Sequence, residues 1–266
     1  YLYVPGTIFF DNKKDLKEKI YENSFIKNCD AKHKSRFGTI LILNKKNGNL
    51  KKEILIIESF YKNPSSRKII EKYVTNCTDA LHLNDARVLD EKKASFFENG
   101  KKGDILISLR HVNMLALIDK DTHDIKWYVQ GLFSHQHSPR VTDRGTILVF
   151  DNYFKKNSSR IVEIDIKEKK ILGFYSGTKY KFYSVTRGRI QIIDDRLFVQ
   201  SSDQGEIFEI ICSEKILNNE KCRSNYIFSS IYSGFYPNTG FSVNGKYVKD
   251  MIYIGDFYKE KLDFLN

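Results

Sequence analysis

A chain of 266 residues that is 41% hydrophobic and 14% aromatic carries enough apolar material for a buried core, in one domain or one repeat array. Its net charge of +11 suggests anionic partners. The lysines, however, sit in turn-like clusters at 44–49, 99–104, 153–159 and 166–170 rather than in one basic stripe, so no nucleic-acid partner is expected. Steering of a small anionic substrate is the milder reading of the same charge. No apolar run approaches the ~18 residues that a membrane span needs. No signal-peptide pattern follows Tyr1, so any targeting segment is expected to have been removed or to lie outside this chain.

In chain order, "YLYVPG" at the start reads as part of a strand, and residues 11–28 are expected to hold a helix. Residues 38–58, "GTILILNKKNGNLKKEILIIE", read as strand, turn, strand. The insert at 59–80 has helical spacing at Ile69, Ile70 and Tyr73, which predicts a short outer helix. Residues 103–131 then read as strand, turn, strand, turn, strand, and 145–177 and 196–217 repeat that plan. Ile118, Ile164 and Ile210 fall at equivalent places, 46 residues apart each time, and Trp127 matches Phe174. A worn copy is expected at 245–258. A period of about 40–50 residues with three or four strands each is what propeller blades show. The predicted fold is therefore an all-β propeller with short helical inserts, one domain over residues 1–266 and incomplete at its N-terminus. A β-sandwich is the competing fold, but it gives no reason for equal spacing.

Four cysteines, Cys29, Cys77, Cys212 and Cys222, form no CxxC pair and no zinc spacing. Cys212 and Cys222 could close a hairpin in an oxidising compartment, but buried free thiols are the expected state.

In a propeller, the groups that enter the central channel come from equivalent places in successive blades. His137 lies ten residues before Ile147, and Arg187 ten before Leu197. His82 precedes the strand at 105–109 across a longer insert, and Asn84 shares its strand face. Arg110 continues the apolar run "ILISLR" and requires a compensating anion or a carboxylate such as Asp85, Asp104 or Asp119. His135 and His137 could be two metal ligands, but no third completes the set, an arginine near His82 would oppose a cation, and no metal is expected. His33, His111 and His123 read as surface or turn histidines. A neutral imidazole can attack an ester while arginine and asparagine hold the oxygens that gather charge. The same groups would also bind a sulfate or phosphate without reacting.

Between residues 78 and 212 an ordered set of motifs resembles the arylsulfotransferases. The set is "HLN" (82–84), "GDILISLRHVN" (103–113), "IKW" (125–127), "QHSP" (136–139) and "GTILVFDN" (145–152). The resemblance implies a six-bladed propeller that moves a sulfuryl group from an aryl sulfate donor to a phenolic acceptor through a sulfohistidine, with no cofactor. His137 of Gln-His would be the nucleophile, His82 and Asn84 the His-x-Asn pair, and Arg110 the channel arginine. Arg187 and Ser184, in "FYSVTRGR", are added as substrate-binding residues from blade equivalence. The resemblance also implies a periplasmic or membrane-anchored extracytoplasmic location, any anchor lying outside this chain. The family carries a further active-site histidine in an earlier blade, and upstream of His82 this sequence has only His33. The rival readings are a non-catalytic propeller that binds an anionic ligand or a partner protein, and a sulfate or phosphate ester hydrolase.

Overall fold

The computed structural model describes residues 1–10, 35–62, 64–74, 78–178, 181–229, 241–243 and 246–248. The expected helix over 11–28, His33, Cys29 and Cys77 lie outside the described residues, as does most of the copy expected at 245–258. The chain forms two compact units, residues 1–131 and 132–266. Both are built from antiparallel sheets whose strands are mostly neighbours in sequence.

In the first unit, β1 (Leu2–Phe10), β2 (Ser35–Leu43) and β3 (Leu50–Leu55) form one sheet. Two helices follow, α1 (Ile56–Tyr61) and α2 (Pro64–Tyr73), where one was expected. Ile69 and Ile70 face the core, whereas Tyr73 is exposed. The second sheet has the order β4 (Leu83–Val88), β5 (Ile105–Leu109), β6 (Met114–Ile118), β7 (Ile125–Gln130), with the one-turn helix α3 (Glu91–Ala94) between β4 and β5. Every residue of β5 and β6 is buried, as continuous apolar runs require of strands covered on both faces. Phe37, Ile40, Ile56, Phe60, Ile70, Ile107 and Ala116 belong to one core that joins both sheets to the helices. Buried Asp104 accepts from Lys101 N, Lys120 N and Lys126 Nζ at 2.8, 3.1 and 2.7 Å.

The second unit holds two four-stranded sheets. One is β8 (His137–Val141), β9 (Thr146–Lys155), β10 (Ser158–Asp165) and β11 (Ile171–Tyr175). The other is β12 (Arg189–Ile193), β13 (Arg196–Ser201), β14 (Glu206–Cys212) and β15 (Cys222–Ser229). A short hairpin, β16 (Phe241–Val243) with β17 (Lys246–Val248), follows. Phe182 is the hub of the core: its ring meets Phe208 at 5.0 Å, Phe150 at 5.8 Å and Tyr175 at 6.5 Å between centroids. Glu163, fully buried, takes hydrogen bonds from Arg144, Thr146 and the Leu217 amide, which binds the chain after β14 to the first of these sheets.

Ile118, Ile164 and Ile210 sit on the third strand of their sheets, opposite Ile105, Ile147 and Leu197. Two expectations are corrected. "GTILVFDN" is the second strand of its sheet, not the first, and the strand runs on to Lys155. The first strand is the short, polar "HSPRV", whose proline is at home on a sheet edge. Cys212 and Cys222 are not thiols: the pairing of β14 with β15 sets them opposite each other, Cα atoms 4.0 Å apart, and they form a disulfide.

Candidate active site

His137 opens β8, half-buried, with protein groups on both ring nitrogens. Nδ1 lies 2.7 Å from Asn152 Oδ1 and 3.0 Å from the carbonyl of His135. That carbonyl can only accept, so Nδ1 carries the proton. The asparagine is held independently: its Nδ2 donates to Ser184 O at 2.8 Å and Arg187 O at 2.9 Å, which turns Oδ1 towards the imidazole. In the neutral ring the lone pair is therefore on Nε2, which accepts from the Arg187 amide at 3.2 Å, the long end of such bonds.

The backbone around this ring is unusual. His135, Ser138 and Arg187 all have φ between 55° and 63°, a left-handed conformation that residues with a Cβ adopt at a cost. At β8 the cause is a bulge between His137 and Arg140, which re-aims the side chain at the strand start. At Arg187 the loop is anchored from below. Ser184, fully buried, donates to Thr186 O at 2.7 Å and accepts from Asp203 N at 3.1 Å, while Asp203 accepts from Thr186 N at 3.1 Å. Burial pushes the Asp203 carboxyl up, against the hydrogen bonds from Thr186 and Val185 and the charge of Arg187. The next residue, Gly188, has φ 87°, and a Cβ there would lie 2.6 Å from the Phe150 ring. His135 bonds Ser134 Oγ at 3.0 Å and leans on Tyr153, whose ring in turn meets Tyr183 edge-on.

The first unit carries its own polar cluster. His82 Nδ1 is 2.6 Å from Asp79 Oδ2, and His111 Nδ1 is 2.7 Å from Asp79 O. Burial works against the charge on Asp79, but the His82 hydrogen bond and the nearby His111 and Arg36 hold its carboxyl below the usual range. Burial pushes the His111 imidazole down; the Asp79 carbonyl opposes this, and the charges of His82 and Arg110 add to it. Arg110 lies in the turn after β5, its amide bonded to His82 O. Of the three carboxylates weighed as its partners, Asp104 and Asp119 pair with Lys126, and Asp85 pairs with Arg87. Asn84 occupies the bulge of β4, between Leu83 and Asp85.

The sequence model of the family described as Arylsulfotransferase (ASST) matches residues 51–221, well over half of the chain. The chain belongs to the arylsulfotransferase family. All six residues expected at the site lie inside the matched stretch. No curated protein matches the chain. Among similar solved structures, a protein of unknown function from Bacteroides caccae is 16% identical, with a TM-score of 0.40 over 72% of this chain and 54% of that one. Hydrazine synthase of Kuenenia stuttgartiensis is 19% identical, with a TM-score of 0.36 over 47% of this chain and 33% of that one. The Cps50 (Swd1) β-propeller domain of Myceliophteria thermophila is 10% identical, with a TM-score of 0.39 over 74% and 57%. The chain thus spans from a third to just over half of the length of these proteins.

Within this family member, sheet register revises the equivalences expected between residues. Val88 pairs with Ile105 and Val141 with Ile147. Three residues beyond those pairs on the second strands, Ser108 stands opposite Asp85 and Phe150 opposite His137, so Asp85 rather than His82 is level with His137. His82 and His135, each just before its strand, both have left-handed backbone, with φ 52° and 55°. Counted forward, Arg110 corresponds to Asn152. Counting from the apolar strands alone misplaced His82 because the connection from β4 to β5 contains α3, whereas β8 and β9 are joined by a tight turn. Asn152, Asp79 and His111 were not among the expected site residues. Asn152 had a visible signal, an amide ending the apolar run "ILVFDN"; Asp79 and His111 had none, being 32 residues apart in sequence.

Proposed function

We propose that this chain transfers a sulfuryl group between phenolic compounds through a sulfohistidine at His137. The observation that carries the reading is the double hold on Nδ1–H, by Asn152 Oδ1 and His135 O, which leaves Nε2 as the lone-pair nitrogen. Nε2 attacks the sulfur of an aryl sulfate, the sulfur–oxygen bond to the aryl group breaks, and the phenolate departs and takes up a proton. The adduct's imidazolium keeps its Nδ1–H against the same two oxygens. An acceptor phenol then attacks the sulfur, loses its proton to a general base, and the nitrogen–sulfur bond breaks to restore neutral His137. His82 is the residue assigned to that base, Arg110, Asn84 and Arg187 to the sulfuryl oxygens, and buried Ser184 to shaping the Arg187 loop. For Nε2 to react, the Arg187 amide must give way to the substrate. The three four-stranded sheets are read as blades of a six-bladed type of propeller, the strand-by-strand repeat of register at Ile118, Ile164 and Ile210 supporting it. The Cys212–Cys222 disulfide supports an extracytoplasmic location.

A specific observation favours a second reading, a non-catalytic anion-binding protein: both nitrogens of His137 already have protein partners. Intact-mass measurement after incubation with 4-nitrophenyl sulfate separates the two. Transfer predicts an acid-labile gain of one sulfuryl group that maps to His137 and is absent in His137→Ala. A folded protein that gains no mass and releases no nitrophenol in the presence of a phenol acceptor sinks it.

A further inference from the structure

Asp79, His82 and His111 bring one carboxylate and two imidazoles together, with a ligand atom of each within 4.8 Å of the others. The two rings face each other at 4.6 Å between centroids, tilted by 42°. An Asp–His hydrogen bond accounts for Asp79 and His82, but not for His111. His111 directs its Nδ1 at the backbone carbonyl of Asp79, which can only accept. The neutral ring of His111 therefore has its lone pair on Nε2, the arrangement in which metal-binding histidines are commonly oriented by an outer carbonyl. The segments that carry the three residues are also tied by their backbones: the Arg110 amide bonds His82 O at 3.0 Å, and the His111 amide bonds Leu81 O at 3.2 Å. His82 itself is held at φ 52°, a strained conformation for a residue with a Cβ.

We propose that Asp79, His82 and His111 form a binding site for a divalent transition-metal ion of the zinc type. Two imidazoles and one carboxylate suit a borderline-soft cation and disfavour magnesium or calcium, which take oxygen ligands. Three protein ligands leave a coordination position for water or for an anion. At zinc–ligand distances of about 2.1 Å, ligand atoms in a tetrahedral site lie about 3.4 Å apart. Side-chain rotation must therefore draw the three in from the present spread. Two arginines oppose the cation. Arg36 lies 3.7 Å from Asp79 Oδ2, beyond hydrogen-bonding reach and 45% exposed, and turning it to solvent costs its Nε bond to Thr78 O at 3.2 Å. Arg110 stays close and lowers the affinity below that of a closed four-ligand site. The proposal does not rest on sulfuryl transfer at His137, and an ion held through His82 would compete with the general-base role assigned to that residue.

Titration calorimetry on chelator-treated protein tests it, with Zn²⁺ and Mg²⁺ as the probes. One equivalent of Zn²⁺ should bind and Mg²⁺ should not. His111→Ala, a change on an exposed turn, should weaken Zn²⁺ binding at least tenfold while leaving the metal-free melting temperature unchanged. Asp79→Asn and His82→Ala should weaken it similarly, and His123→Ala and His135→Ala should not. Co²⁺ in place of Zn²⁺ should give visible absorption bands that vanish in His111→Ala. Zn²⁺ binding that is absent, or equal in wild type and His111→Ala, overturns the site.

Discussion

Asn152 spends its whole amide on positions that matter to His137. Its Nδ2 satisfies two loop carbonyls, and its Oδ1 takes the imidazole proton. Asn152→Ala would leave Ser184 O and Arg187 O without that donor in a buried place, at a cost of about 2–3 kcal/mol in a urea unfolding experiment. If His137 is the nucleophile, the same change should also lower kcat for aryl sulfate cleavage well beyond its effect on KM, since it removes the shorter of the two holds on Nδ1–H. Lys126 is a comparable case in the first unit. It is mostly buried between Asp104 and Asp119, 2.7 and 3.3 Å away. Lys126→Met removes the charge that compensates a fully buried Asp104, and is expected to destabilise by about 3 kcal/mol, measured by urea denaturation. The residue types at these positions were visible beforehand, but their partners were not. Arg110 was weighed against Asp85, Asp104 and Asp119, and all three carboxylates have cations from their own sheet.

At the scale of elements, the β6–β7 turn shows how a hairpin gains pH-dependent stability. Asp119 accepts the amides of Thr122 and Asp121 and the Lys126 ammonium. The Thr122 amide is the strongest influence; against burial, and with help from Asp121 and Lys126, it lowers the Asp119 carboxyl to about 2. A depressed carboxylate stabilises the fold above its unfolded value, 3.8, and loses that contribution as pH falls towards about 2. Urea midpoints of wild type should therefore drop between pH 5 and 2 more than those of Asp119→Asn. The β14–β15 hairpin is fastened differently, by Cys212–Cys222. Closing so short a loop is worth about 2–3 kcal/mol, so a Cys212→Ser/Cys222→Ser pair should lower the melting temperature by several degrees in calorimetry. The first strand β8 was the element the sequence concealed most, and β4 showed only at His82 and Asn84. Each is short, polar and bulged, so neither shows the apolar alternation that betrays an interior strand.

For the molecule as a whole, the sheets were legible because their second and third strands carry mostly buried, largely apolar runs. "ILISL", "MLALI" and "TILVF" announce themselves, and the equal spacing of Ile118, Ile164 and Ile210 follows from sheets with the same strand plan. Family membership was legible as well, since the ordered motifs from His82 to Asn152 lie inside the stretch that the family matches. A glycine tests how closely the second unit is packed. Gly173→Ala would drive a Cβ into the Leu217 carbonyl, so this variant should unfold at a lower temperature than Gly48→Ala, whose Cβ meets nothing and which carries only the strain of φ 73°. What the sequence by itself determined was the set of apolar strands, their period and the residue types available for chemistry, because burial and strand periodicity are local properties of the chain. Only the tertiary structure decided that Asn152 orients His137, that Asp79 and His111 meet at His82, and that His82 and His137 stand at different levels of their sheets. Those relations depend on strand register, on bulges and on hydrogen bonds between residues tens of positions apart, and no local pattern encodes them.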